Sequence, residues 1–218
     1  MDIQALWDPA SALVVLGGTT LATVLRSGRG ELLATARVVG GLLHKGFDFD
    51  GHRAEIAAQV RDIQDHGLLR TGPSTSTDQE IIDATGALVH KRSIAAAMAT
   101  HDAHKAQRTR LRERGLRVLY QMADLAPVFG LAGTLLSLSQ LPADGLERAN
   151  LMGAVAMAVL STLYGLLAAH MLVLPLARKV ERAGEREEFE RQRLMDWMAN
   201  QLETACPTGR DRRSARAA

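Results

Sequence analysis

A chain of 218 residues with 26 Lys and Arg against 24 Asp and Glu carries a formal charge of only +2, so no basic excess points to a nucleic acid partner. Its one cysteine, Cys206, excludes an internal disulfide and fits a reducing compartment. Mean hydropathy is close to zero, but that average hides three runs without a single Asp, Glu, Lys or Arg: residues 9–25, 125–143 and 149–177.

The first run, PASALVVLGGTTLATVL, is N-terminal and glycine-bearing, as a secretory signal would be, yet it follows MDIQALWD, two acids and no base. A signal peptide requires a positive start, so a first membrane helix over 1–26 is the better reading. About 20 residues cross the roughly 30 Å of hydrocarbon, which makes this run short and the later two sufficient.

Residues 27–124 show no alternating strand pattern. Apolar spacing of three and four predicts helices over 30–44, 52–66, 78–99 and 101–120, with breaks at KGFDFDG and LLRTGPSTSTD. The DFDG near residue 48 lacks the acids of a calcium loop, since Gly46 and Ala57 stand where carboxylates are needed; Asp50 is expected to cap the following helix instead. His101 and His104, with His90 nearby, sit among lysines and arginines, and a solvated face is expected rather than a metal site. Gly17-Gly18 lacks the lysine of a phosphate loop, and no nucleophile, base and orienter come together, so neither enzyme activity nor a cofactor is expected.

The second run, LAPVFGLAGTLLSLSQL, holds a proline and two glycines that a water-soluble helix would rarely accept. In hydrocarbon an unbonded backbone group is so costly that helix formation is enforced, and small residues let helices approach closely. Ala126, Gly130, Thr134 and Ser137 fall at helical spacing, as do Ala154, Ala158, Thr162, Gly165 and Ala169 in the third run. These small faces serve either helix packing or a narrow polar path, and the threonines can bond their own backbone. His170 is either a proton relay or a neutral histidine held by a neighbour; Asp124 either faces a helix N-terminus or marks the inner mouth of a path. No span contains a carboxylate, so any ion path needs an acid from elsewhere.

Charge gives orientation. Only Arg148 among the basic residues lies in the PADGLER connection, and none precedes the first run. The N-terminus and 142–148 should therefore face outward, with 26–124 and the chain from Arg178 cytoplasmic. The expected fold is an all-α membrane protein: three transmembrane helices, two extended into a cytoplasmic helical hairpin, plus short cytoplasmic helices. Its parts would be a first transmembrane helix (1–26), a cytoplasmic helical region (27–124), a transmembrane pair (125–178), a cytoplasmic helix (179–206) and a disordered basic tail (207–218).

LAPVFGLAGTLLSLSQL followed by MGAVAMAVLSTLYGLLAAHMLVLPLARKVE resembles the last two membrane helices of the MotA/TolQ/ExbB proton-channel family, and DPASALVVLGGTTLATVL resembles the helix that precedes the cytoplasmic region in its MotA branch. The resemblance implies a stator subunit of the bacterial inner membrane, in which a pentamer surrounds MotB-like or ExbD-like single-span partners that supply the ion-carrying aspartate. It implies that Thr134 and Thr162 face that aspartate, with Gly130, Ala158 and Gly165 lining the same surface, and that Pro127 and Pro175 end the inner helices. Asp124 and His170 are candidates for the proton path. Flagellar rotation is the expected use; energising outer-membrane transport and a non-conducting scaffold are the alternatives. The motility branch also carries a further membrane helix before its Gly-Gly-Thr, and an Arg and a Glu used against the rotor. Here the latter positions are Gln64 and Gly72, with Arg61, Asp65 and Arg70 close by.

Overall fold

The computed structural model of the chain describes residues 8–43, 46–66, 76–141 and 148–203. The expected basic tail 207–218, the connection 142–147 and the 67–72 segment lie outside them. The described residues are helical, with no strand among them: α1 (Pro9–Arg26), α2 (Arg29–Gly41), α3 (Phe49–His66), α4 (Gln79–Lys91), α5 (Ile94–Ser139) and α6, which runs as Arg148–Leu167 and Leu174–Leu202 through a π-helical turn at Ala168–Val173. Three of these, α1, α5 and α6, are long and apolar enough to cross a membrane. The chain divides into two compact units, 1–43 with 111–182 and 44–110 with 183–218.

In the first unit, Asp8 caps α1 by accepting from the Ala10 and Ser11 amides, and Pro9 occupies the first helical position, where its missing N–H costs nothing. Thr19 and Thr23 are buried in α1, and their hydroxyls donate to the carbonyls of Val15 and Thr19 at 2.6 and 2.7 Å. That internal bonding lets polar side chains sit in an apolar span. The α2 helix begins after Gly28, whose amide donates to the Glu31 carboxylate. It crosses α5 at Gly115, where a Cβ would lie 3.3 Å from Ala34 O and Thr35 Cα. Leu116, Leu119 and Ala123 of α5 form a core with Val173, Ala177 and Val180 of α6.

The second unit is closed by Ile56 and Val60 of α3, Ile81, Ala84 and Leu88 of α4, Ala97 of α5, and Leu194, Met195, Met198 and Leu202 of α6. Here α5 and α6 run antiparallel, with His101 meeting Gln192 and Arg108 meeting Glu188. Three expectations need correction. The helix expected over 78–99 is broken: α4 ends at Lys91, Arg92 takes the left-handed conformation (φ 50°) that usually falls to glycine, and α5 starts at Ile94. The cap of α3 is Asp48, whose carboxylate accepts from the Gly51 amide; Asp50 lies inside the first turn. His101 is not on a solvated face but fully buried.

Its surroundings explain that burial. Glu80, 3% exposed, accepts from His101 Nδ1, from Arg108 and from Arg191. Arg108 also reaches Glu188, and Arg191 reaches Asp78 and Glu187. On the other edge of the His101 ring, Nε2 stands 3.1 Å from Gln192 Oε1. The Gln192 amide is oriented twice over: Lys105 Nζ donates to its oxygen, and its nitrogen donates to Asp196. Both ring nitrogens therefore face acceptors, which is the hydrogen-bonding pattern of an imidazolium.

The Glu80 bond accordingly raises the His101 pKa above its ordinary 6.5, while His101 and Arg108 hold the Glu80 carboxyl down to about 2 against the cost of burial. The two groups set opposite flanks of one stability profile. The Glu80 contribution, on the order of 3 kcal/mol, is present above pH 4.5 and lost as pH falls toward 2. The His101 contribution is complete below 6.5 and lost as pH rises through its elevated pKa. Thermal unfolding of the second unit, followed by Trp197 fluorescence in a Trp7→Phe background, is expected to show its highest midpoint between about pH 4.5 and 6.5, and His101→Gln is expected to remove the alkaline fall.

Candidate functional site

The site is built where α5 and α6 meet in the first unit. Gly130 and Gly165 stand against each other: a Cβ on Gly165 would lie 2.6 Å from Ala126 O and 3.1 Å from Gly130 Cα, and one on Gly130 would lie 3.0 Å from Ser161 O. These neighbours are backbone atoms that no side-chain rotation can move. Ser161, fully buried, places its hydroxyl 3.1 Å from Gly130 O across the helix pair and 2.9 Å from Ala158 O on its own helix. Gly133 closes on the same serine. The contact is thus a small-residue seam fastened by one hydroxyl, the device by which membrane helices associate when lipid supplies no hydrophobic drive.

Two further contacts seat α1 on this pair. A Cβ on Gly18 would fall within 2.7 Å of two carbons of the Phe129 ring, so the ring fills the space that the missing side chain leaves. At the other end, the Asp8 amide donates to the Tyr164 hydroxyl at 3.0 Å. All three apolar helices are thereby fixed at α1–α5–α6 contacts within one unit.

Beside the seam lies an open groove of about 500 Å³, whose walls include Thr134, Leu138, Val155, Ala158, Thr162 and Leu166. The two expected small-residue faces are therefore divided. Thr134, Ala158 and Thr162 line the groove, whereas Gly130 and Gly165 sit in the seam with Ala126, Ala168 and Ala169. Steps of three and four residues turn the side chain by about 60° and 40° in opposite senses, so a stripe read at such steps is broad enough to span both surfaces. The π turn at Ala168–Val173 then shifts the register of everything after it.

In the groove Thr134 Oγ1 donates to Leu131 O at 2.6 Å and Thr162 Oγ1 donates to Ala158 O at 3.3 Å. Each hydroxyl proton is held by its own helix, leaving oxygen lone pairs free to accept. Such a surface suits a donor in an otherwise apolar setting. Asp124 and His170 are exposed and stand outside the groove, His170 within the π turn. Pro127 lies inside α5, and Pro175 is exposed just after the π turn of α6. Ser161 was not singled out by residue type, although its spacing of four from Gly165 puts it on the seam.

The model of the MotA/TolQ/ExbB proton channel family matches residues 74–193, which take in α4, α5 and most of α6. Among individual relatives, the chemotaxis protein PomA of Vibrio alginolyticus is 24% identical over 87% of this chain and 75% of its own length. Motility protein A of Aquifex aeolicus is 36% identical over 31% of this chain and 26% of its own. The solved flagellar MotAB stator complex from Bacillus subtilis contains a chain of the same fold, with a TM-score of 0.82, 19% identity, and coverage of 98% of this chain and 85% of that one. With more than half of its length matched, including both helices that build the groove, the chain belongs to the MotA/TolQ/ExbB proton channel family.

Proposed function

We propose that the chain is the ion-conducting stator subunit of a flagellar motor in the bacterial inner membrane, working as a homo-oligomer, a pentamer, around a MotB-like single-span partner. The observation that carries this reading is the threonine-bearing groove beside a glycine seam, in spans that hold no carboxylate of their own. A partner aspartate entering the groove in its protonated form would donate to the free lone pairs of Thr134 or Thr162. Once ionised, it would require those hydroxyls to leave Leu131 O and Ala158 O and turn toward it. The contact is then different in the two protonation states, which is what coupling ion passage to movement requires. Asp124 and His170 are assigned no step. The PomA and motility protein A relatives and the MotAB fold support the motility use.

Thr162→Leu, alone and with Thr134→Leu, tests the reading. Filling the groove should lower proton flux in vesicles by roughly ten- to a hundredfold while the subunit and partner still co-purify. Flux unchanged would remove the groove from the path, and loss of co-purification together with flux would favour a scaffold. Replacing the drive ion in the same vesicles tests proton against sodium. The second reading, an energiser of TolQ/ExbB type, is favoured by Gln64 and Gly72, where the motility branch carries its rotor charges. A partner with a peptidoglycan-binding tail encoded beside this chain supports motility; a short ExbD-like partner supports the energiser.

A further inference from the structure

One carbonyl beside the seam is claimed by more donors than it can serve. Ala158 O faces the Ser161 hydroxyl at 2.9 Å and the Thr162 hydroxyl at 3.3 Å, and within the continuous helix Arg148–Leu167 it also takes the Thr162 amide. A carbonyl oxygen has two lone pairs, so one of the two hydroxyls must send its proton elsewhere. Ser161 has a second acceptor, Gly130 O at 3.1 Å across the seam; among the described residues Thr162 has none. As long as Thr162 donates to Ala158 O, therefore, Ser161 donates to Gly130 O.

The surroundings of Ser161 permit both choices. Its side chain is fully buried, so the proton must go to one carbonyl or the other. Its oxygen stands within reach of both at once, and the choice requires only that the proton swing. Gly133 supplies the room, since a Cβ there would lie 2.8 Å from Ser161 Cβ and 3.0 Å from its hydroxyl oxygen.

We propose that Ser161 is a positioning residue that carries the state of the groove to the α5–α6 seam. The proposal rests on the reading of Thr162 as a donor to a partner's ionised carboxyl. When Thr162 turns its proton toward that carboxylate, Ala158 O loses a donor, Ser161 donates there instead, and Gly130 O gives up the side-chain bond that fastens the seam. When the carboxyl is protonated it donates to Thr162, Thr162 returns to Ala158 O, and Ser161 returns to Gly130 O. The seam is fastened in one state and unfastened in the other, and no ion passes through it. Thr134 has no such line to the seam: it donates to Leu131 O, to which no other side chain donates among the described residues.

A double-mutant cycle on the thermal midpoint of the full chain, as its native oligomer in detergent, tests the relay without partner or flux. Ser161→Ala is expected to lower the midpoint of wild type, because the bond to Gly130 O is lost. In Thr162→Val, Ala158 O is open to Ser161 from the start, and Ser161→Ala should cost less than about half as much. In Thr134→Val it should cost the wild-type amount. An equal cost in all three backgrounds would overturn the proposal, because a serine that only fastens the seam acts independently of Thr162. In swimming cells, Ser161→Ala should lower motor speed per unit of proton flux by roughly fivefold, the worth of one hydrogen bond; speed falling only in step with flux would overturn the coupling role. Failure of the stator reading shows separately, as flux that Thr162→Leu leaves unchanged, and the outcome of the cycle stands either way.

Discussion

Gly165→Val is expected to separate α5 from α6 and with them the whole first unit. The added Cβ alone would approach Ala126 O to 2.6 Å and Pro127 Cα to 3.2 Å, both backbone positions within a continuous helix. Overpacking a rigid contact costs roughly 1–3 kcal/mol, and more where no side chain can yield, so a loss near or above the upper figure is expected. The branched Val side chain would in addition displace Gly130 and strip Ser161 of its bond to Gly130 O. Gly130→Ala, with its closest atom at 3.0 Å, should be milder, and Gly153→Ala, which meets nothing within 4 Å, should be neutral. The thermal midpoint in detergent, with the amount of protein recovered as the native oligomer, should follow that order. Equal behaviour of Gly165→Val and Gly153→Ala would show that the seam does not hold the pair together.

Glu80→Gln is expected to have the largest effect in the second unit. The carboxylate is 3% exposed and joins His101, Arg108 and Arg191; removing its charge leaves a buried imidazolium without its anion and two guanidiniums short of an acceptor. Breaking one member of such a cluster costs roughly 3–5 kcal/mol, because the penalty is the stranded charge rather than the lost attraction. Arg186→Ala offers the contrast. Its pair with Glu190 is on the surface, with Arg186 83% exposed, and its loss should change stability by less than about 1 kcal/mol. Hydrogen exchange over residues 79–110 should collapse in Glu80→Gln and stay native in Arg186→Ala. Preserved protection in Glu80→Gln would mean that the cluster is not what holds α4 to α5 and α6.

The spans were legible because hydrocarbon forbids charge: three uncharged runs mark α1, the end of α5 and the start of α6 without reference to packing. The cytoplasmic helices were legible from apolar spacing, but their ends were not. Arg92 adopts a conformation for which glycine is the usual signal, so the α4–α5 break carries no mark in the sequence. Asp48 and Asp50 are equally good caps by residue type, and only the Gly51 amide distinguishes them. His101 could not be read as buried because its acceptors, Glu80 and Gln192, lie 21 and 91 residues away.

The same limit applies to the site. Small residues at helical spacing announce close contact, yet they do not say which of two adjoining surfaces meets the sister helix. Thr134, Ala158 and Thr162 line the groove, Gly130 and Gly165 form the seam, and Ser161 joins the seam although serine is no signal by itself. Packing and path were competing explanations of one stripe; the structure contains a surface suited to each.

The most direct measurement is a high-resolution structure of the assembled complex purified from membranes. The account predicts two foreign helices enclosed by several copies of this chain, with a carboxyl of theirs within hydrogen-bonding reach of Thr134 or Thr162. A groove occupied by lipid, or plugged by a neighbouring copy with no central helix, would contradict it.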